Sequence, residues 1–196
     1  MTFQTFRFSE SKAEWLAQPN VCAISELRVF IIAFFLMAAV SIRAQESIPM
    51  QALIGQSLSK VQQPTPEALL NCIAELKRID AMFPDSVQPK HQMALQSLNF
   101  SVMNPHAAQT ENLLAETAQT ITKMEQMKNA DQSDICTLRG FLYMTRIVQN
   151  PAQNGQRYYL DVMQNFEKAL KLNPENQLAK QLQQKFFEGM KQAQKR

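Results

Sequence analysis

The chain has 196 residues, 45% of them hydrophobic, which is enough to bury a core and too many for wholesale disorder. Its formal charge is only +3, and from Gln45 onward 16 basic residues stand against 14 acidic ones, a balance that argues against nucleic-acid binding. Four glycines, abundant Gln, Leu, Ala and Met, and no alternating Val/Ile/Thr runs exclude a β-rich fold and predict an all-helical chain.

The first 26 residues are too long and too acidic for the positive region of an export signal. After Arg28 comes the 14-residue apolar run VFIIAFFLMAAVSI, residues 29–42. A membrane-spanning helix takes about 20 apolar residues. The run therefore fits the hydrophobic region of a secretory signal, with small Ala44 at the cleavage position before Gln45. Arg43 is unusual in such a cleavage region, and an uncleaved helix anchoring the chain to the inner membrane through 29–42 is the alternative. Cys22 precedes the run, so a lipoprotein anchor is not supported. Translation beginning at Leu27, read from an alternative start codon, would give a compact signal. The expected organisation is an N-terminal extension and signal over 1–44, then a helical domain over 45–196 that is periplasmic or secreted, with no span after cleavage.

In the mature chain the apolar positions recur at helical spacing. Helix one, about 47–62, carries Met50, Leu53, Ile54, Leu58 and Val61 on one side. Pro64-Thr65-Pro66-Glu67 breaks it and starts helix two, with Pro66 suited to a first turn. Leu69, Cys72, Ile73, Leu76, Ile79 and Phe83 form the stripe of helix two, closed by Pro84. Helix three, about 88–103, shows Ala94, Leu95, Leu98 and Val102 before Asn104-Pro105. Leu113, Leu114, Ala118, Ile121, Met124 and Met127 mark helix four, about 107–128. Asp131 or Ser133 caps helix five, 133–149, with Ile135, Leu138, Phe141, Leu142 and Val148. The Asn-Pro and Asn-Gly dipeptides in Asn150–Arg157 predict a loop. Helix six, about 157–172, has Tyr159, Val162, Met163, Phe166, Ala169 and Leu170. Asn173-Pro174 then opens helix seven, striped by Leu178, Leu182, Phe186 and Met190, and Lys191, Lys195 and Arg196 suit its C-terminus.

About seven amphipathic helices joined by short breaks allow a bundle or a solenoid. Phe166 and Ala169 followed by Pro174 resemble the second helix of a tetratricopeptide repeat, and Gly140 with Tyr143 resembles its first. Leu76, Ile79 and Pro84 echo the second-helix pattern less closely, 87–128 is degenerate, and the usual Trp is missing. The resemblance covers 135–190 by residue pattern. It implies antiparallel helix pairs stacked as a short α-solenoid, with Gly140, Tyr143, Phe166, Ala169 and Pro174 as packing positions. By layout the chain is similar to short exported tetratricopeptide-like proteins of bacteria, and that kinship implies protein binding or scaffolding. In an ordinary repeat of about 34 residues the Gly and final Pro stand about ten residues closer than Gly140 and Pro174. The extra residues coincide with the predicted loop. Arg157 and Tyr158 there, beside Arg146, are residue types that binding surfaces favour, and are the candidate contacts for an unknown protein or peptide.

Catalytic chemistry finds little footing in the sequence. His91 and His106 are solitary and read as surface or capping positions, and the carboxylates are scattered over polar faces. There is no Gly-rich phosphate loop, nucleophile elbow or metal-spaced His/Glu pair. Met103, Met124, Met127, Met144 and Met163 fall near core spacing and suit packing better than Cu(I) binding. Cys72 and Cys136 sit on apolar faces as small hydrophobes, with a bridge between them the alternative. The expectation is no enzyme, no cofactor and no metal; the competing reading is a small-ligand or metal carrier, or an enzyme, using a cavity between helices.

Overall fold

The computed structural model describes residues 49–193. The apolar run 29–42 and the cleavage pair Ala44 and Gln45 lie outside the described residues. Seven helices follow one another: α1 Met50–Ser59, α2 Pro66–Met82, α3 Val87–Met103, α4 Thr110–Glu125, α5 Gln132–Gln149, α6 Pro151–Leu172 and α7 Gln177–Ala193. The all-α expectation holds, and no strand occurs among the described residues. None of these helices is long and apolar enough to cross a membrane.

Each helix packs against the next, as short connections require. In addition α3 touches α5 and α5 touches α7, while no comparable packing joins α2 to α4 or α4 to α6. Helices α3, α5 and α7 thus form an inner layer with α4 and α6 outside it, and α1 packs on α2 at the amino-terminal end; this is the geometry of a short helical solenoid. The largest core runs through α3–α7 and includes Leu98, Leu114, Ile121, Met124, Leu138, and Phe166. Ile54, Cys72, Leu76 and Ile79 join α1 to α2 in a separate cluster. Cys136 packs with Ala169 and Ala179 in another. The two thiols are free and buried, and burial pushes both above the ordinary thiol value. They behave as inert small hydrophobes.

Local chemistry sets the helix starts. Thr65 Oγ1 accepts a bond from Ala68 N at 3.2 Å, with Pro66 at the first helical position. Asp131 Oδ1 accepts from Ser133 N at 2.7 Å and from Asp134 N at 3.3 Å, which makes Asp131 the cap of α5. The structure corrects the loop expected at Asn150–Arg157, because α6 begins at Pro151. Asn150 Oδ1 accepts from Gln153 N at 3.2 Å, and Pro151 needs no partner for a first-turn N–H it lacks. Asn-Pro is here a helix start, and α5 and α6 are joined by Asn150 alone. Gly155 is carried inside the helix at a cost of about 1 kcal/mol relative to Ala.

Two of the junctions between successive helices share one backbone turn. At α2–α3, Phe83 N donates to Ile79 O and Ser86 N to Phe83 O, both at 3.0 Å. At α6–α7, Asn173 N donates to Ala169 O at 2.9 Å and Asn176 N to Asn173 O at 3.1 Å. Different side chains lock them. Lys90, only 7% exposed, donates to Asp80 Oδ1 at 2.7 Å, Pro84 O at 2.5 Å and Ser86 O at 3.3 Å. Asn176 is buried, and its Oδ1 caps α7 by accepting from Ala179 N at 3.0 Å. Its Nδ2 lies within reach of Ser133 Oγ at 2.9 Å, Asp134 Oδ1 at 3.0 Å and Thr137 Oγ1 at 3.2 Å. Ser133 Oγ in turn donates to Ala169 O at 2.9 Å, so one network ties α5, α6 and α7 together.

Candidate binding groove

A groove of about 480 Å³ runs over the inner layer, with Val61, Pro64 and Leu69 of the α1–α2 end also lining it. Its floor is apolar: Leu95 and Val102 come from α3, Phe141 and Met144 from α5, and Leu178 and Leu182 from α7. Phe141 and Leu182 are buried because they also belong to the main core, so the floor is fixed by the same packing that holds the helices. Amide side chains flank it. Asn99 Nδ2 donates to Gln96 Oε1 at 3.3 Å on α3, and Gln181 stands on α7. Lys185 is the one charged residue among those lining it, and no carboxylate does. Met103, predicted near core spacing, is instead 52% exposed and lines the groove. Such a surface offers apolar contact and neutral hydrogen bonds; it has no acid–base pair with which to move a proton.

Four of the predicted packing residues, Gly140, Tyr143, Phe166 and Ala169, come together at the α5–α6 interface. Gly140 is buried, and a methyl placed on it would stand 2.8 Å from Cε1 of Phe166. The close approach of the two helices therefore requires glycine there. Ala169 is fully buried against Cys136 and Ala179, and Pro174 lies in the turn before α7. Tyr143 stacks on Tyr158, with ring centroids 5.3 Å apart and planes at 17°.

The predicted contact residues also meet, but they are engaged within the chain. Arg146 Nη1 donates to Glu111 Oε2 at 2.5 Å and to Gln149 Oε1 at 3.3 Å. The bond from Arg146 holds the Glu111 carboxyl below the ordinary carboxylate range. Asn154 Nδ2 donates to Arg146 O at 2.7 Å. The Arg157 guanidinium lies 5.0 Å from the Tyr158 ring centroid, a cation–π contact that keeps the cation exposed. These residues brace the α5–α6 end against α4.

Two features escaped the sequence reading. The groove amides Gln96, Asn99 and Gln181 flank apolar stripes and look like ordinary solvated positions. His91, expected at the surface, is half-buried, and its Nε2 is sealed from solvent with no hydrogen-bond partner. Burial depresses its pKa below the ordinary histidine value, opposed by the Asp134 and Asp131 carboxylates at the start of α5. Its burial follows from packing between helices, which spacing within one helix does not reveal. Compared with known proteins, the chain matches no family model, no curated protein and no solved structure.

Proposed function

We infer that this chain is an exported helical-repeat module of tetratricopeptide type whose inner groove holds a segment of a partner protein. The observation that carries this reading is the groove itself: an apolar floor supplied mainly by three inner helices and flanked by Gln96, Asn99 and Gln181. A chain segment laid there buries apolar side chains and meets neutral donors and acceptors for its backbone. The Gly140–Phe166 contact supports the repeat assignment. Export rests on the apolar run 29–42 and the Ala44–Gln45 cleavage pair. The role is binding or scaffolding in the bacterial envelope, with no catalysis and no cofactor.

The test places a photo-crosslinking residue at Gln181 in the groove and, as a control, at exposed Ala115 on α4. The groove position should recover one recurrent segment from the cell envelope that the control does not. A synthetic copy of that segment should bind the protein, and Met103→Glu should weaken it about tenfold, or 1.4 kcal/mol, without lowering the melting temperature. Equal recovery from both positions would overturn the reading.

A further inference from the structure

A second cavity, of about 300 Å³, lies between the C-terminal end of α5, the first turns of α6, and α7. It stands where the unusually long α5–α6 pair extends, on the segment first expected to be a loop. Ile147, Val148, Phe186 and Met190 line it, together with Met144 and Lys185, which also line the groove. Lys185 has no ion-pair partner among the described residues. The volume is at the lower end of the range for small-molecule sites, about 300–1,000 Å³.

Its remaining lining is unexpected. Gly155 and Gly189, two of the four glycines in the chain, both face this cavity from helix interiors. Neither has a left-handed backbone, and a methyl built on either would meet nothing within 4 Å. The fold therefore does not need glycine at these positions, and each lowers helix stability relative to alanine. Gly140 is the contrast: its missing side chain is what lets Phe166 approach. Gly155 is half-buried and Gly189 exposed, so the missing side chains leave space that is open to solvent on one side and bounded by an apolar wall and the exposed Lys185 on the other.

We propose that this cavity binds a small amphiphile, a medium-length aliphatic chain ending in a single carboxylate. The chain lies along Met144, Ile147, Val148 and Met190, whose flexible thioethers and branched methyls adapt to an aliphatic ligand. The carboxylate pairs with Lys185. The glycines keep open the room the chain occupies. Met144 and Lys185 are shared with the groove, whereas the two glycines line this cavity alone, so the glycine variants test it separately from the groove.

The experiment titrates the full chain with decanoate by calorimetry, below micelle-forming concentrations, with decanol and decyltrimethylammonium as controls. One saturable decanoate site is expected, with the cationic analogue at least about tenfold weaker. Lys185→Gln should weaken decanoate about fivefold or more and leave decanol unchanged. Gly155→Leu and Gly189→Leu, tested separately, should each abolish decanoate binding while the melting temperature holds or rises. A folded leucine variant that binds decanoate as tightly as wild type would overturn the proposal. So would equal binding of the anionic and cationic probes, or no binding by wild type. Should one leucine variant fail to fold, the other and Lys185→Gln still decide the matter.

Discussion

The α2–α3 and α6–α7 junctions have the same turn and opposite chemistry. In the first, a nearly buried ammonium gathers Asp80 Oδ1 and two turn carbonyls at 2.5–3.3 Å. In the second, a neutral amide joins three helices through hydroxyls, a carboxylate and a cap. Backbone geometry in this solenoid is thus repeated while the side-chain locks are not. A charge lock is unforgiving, since deleting one partner leaves the other groups desolvated and unpaired. A neutral network is spread over several bonds of roughly 1 kcal/mol each. The same turn should therefore fail in different ways at these two junctions.

Lys90→Met tests the first lock and should cost the most, about 2–4 kcal/mol in urea unfolding. Asn176→Ala removes cap and network together and should cost about 2–3 kcal/mol. The two sites share no partner, so the double variant should lose the sum within about 0.5 kcal/mol. Strong non-additivity would show that the junctions communicate. Asn176→Asp sharpens the contrast: it keeps an acceptor for Ala179 N but gives up the amide donor and sets a second carboxylate beside Asp134. If it is as stable as wild type, the cap alone matters and the network is incidental.

Gly140→Ala probes the packing between the helices rather than the turns. The added methyl would press into the Phe166 ring, and the expected loss is about 1–3 kcal/mol. Ala169→Leu should fall in the same range at the other end of the interface. Either variant melting like wild type would show that α5 and α6 separate without strain.

The smallest equilibrium effect is expected at His91 and depends on pH. Its pKa in the folded state is depressed, chiefly by burial, so the unfolded chain binds the proton more readily. Stability is then lost as pH falls below the ordinary histidine value of about 6.5, and above it His91 contributes no pH dependence. His91→Leu should flatten the melting temperature between pH 7 and pH 5. A slope unchanged by the substitution would assign the acid sensitivity to other groups.

Helix number, order and apolar faces were legible in the sequence because the stripes repeat at steps of three and four. Leu69, Leu76, Leu114, Ile121 and Phe166 are all buried where the periodicity puts them. Asn-Pro was legible only in part, since it has two outcomes in this chain. Asn173 Oδ1 accepts from the N–H two residues on, at Glu175, and holds a turn. Asn150 Oδ1 accepts from the N–H three residues on, at Gln153, and starts a helix. The dipeptide is identical; Asn176 supplies a later cap in one case and nothing supplies one in the other. The locks were invisible for another reason. Lys90 and Asn176 are polar residues at helix starts, where solvated positions are the usual expectation. Their locks include partners that helical spacing does not reveal, Asp80 10 positions from Lys90 and Ser133 43 positions from Asn176. The groove was hidden in the same way, because its amides become a surface only when three inner helices are set side by side.

The single residue between α5 and α6 has a consequence for the order in which the chain folds. Asn150 closes the shortest connection in the solenoid, and the helices it joins have the most extensive mutual packing. Little chain entropy stands between this hairpin and its native contacts, whereas the Asn176 network must wait for α7. The hairpin is therefore expected to form in the rate-limiting step, with the terminal helices adding afterwards. Gly140→Ala should then slow refolding, and Ile54→Val on α1 should chiefly speed unfolding, in stopped-flow kinetics. The opposite assignment would put the nucleus at the amino-terminal end and make the long hairpin a late addition to the stack.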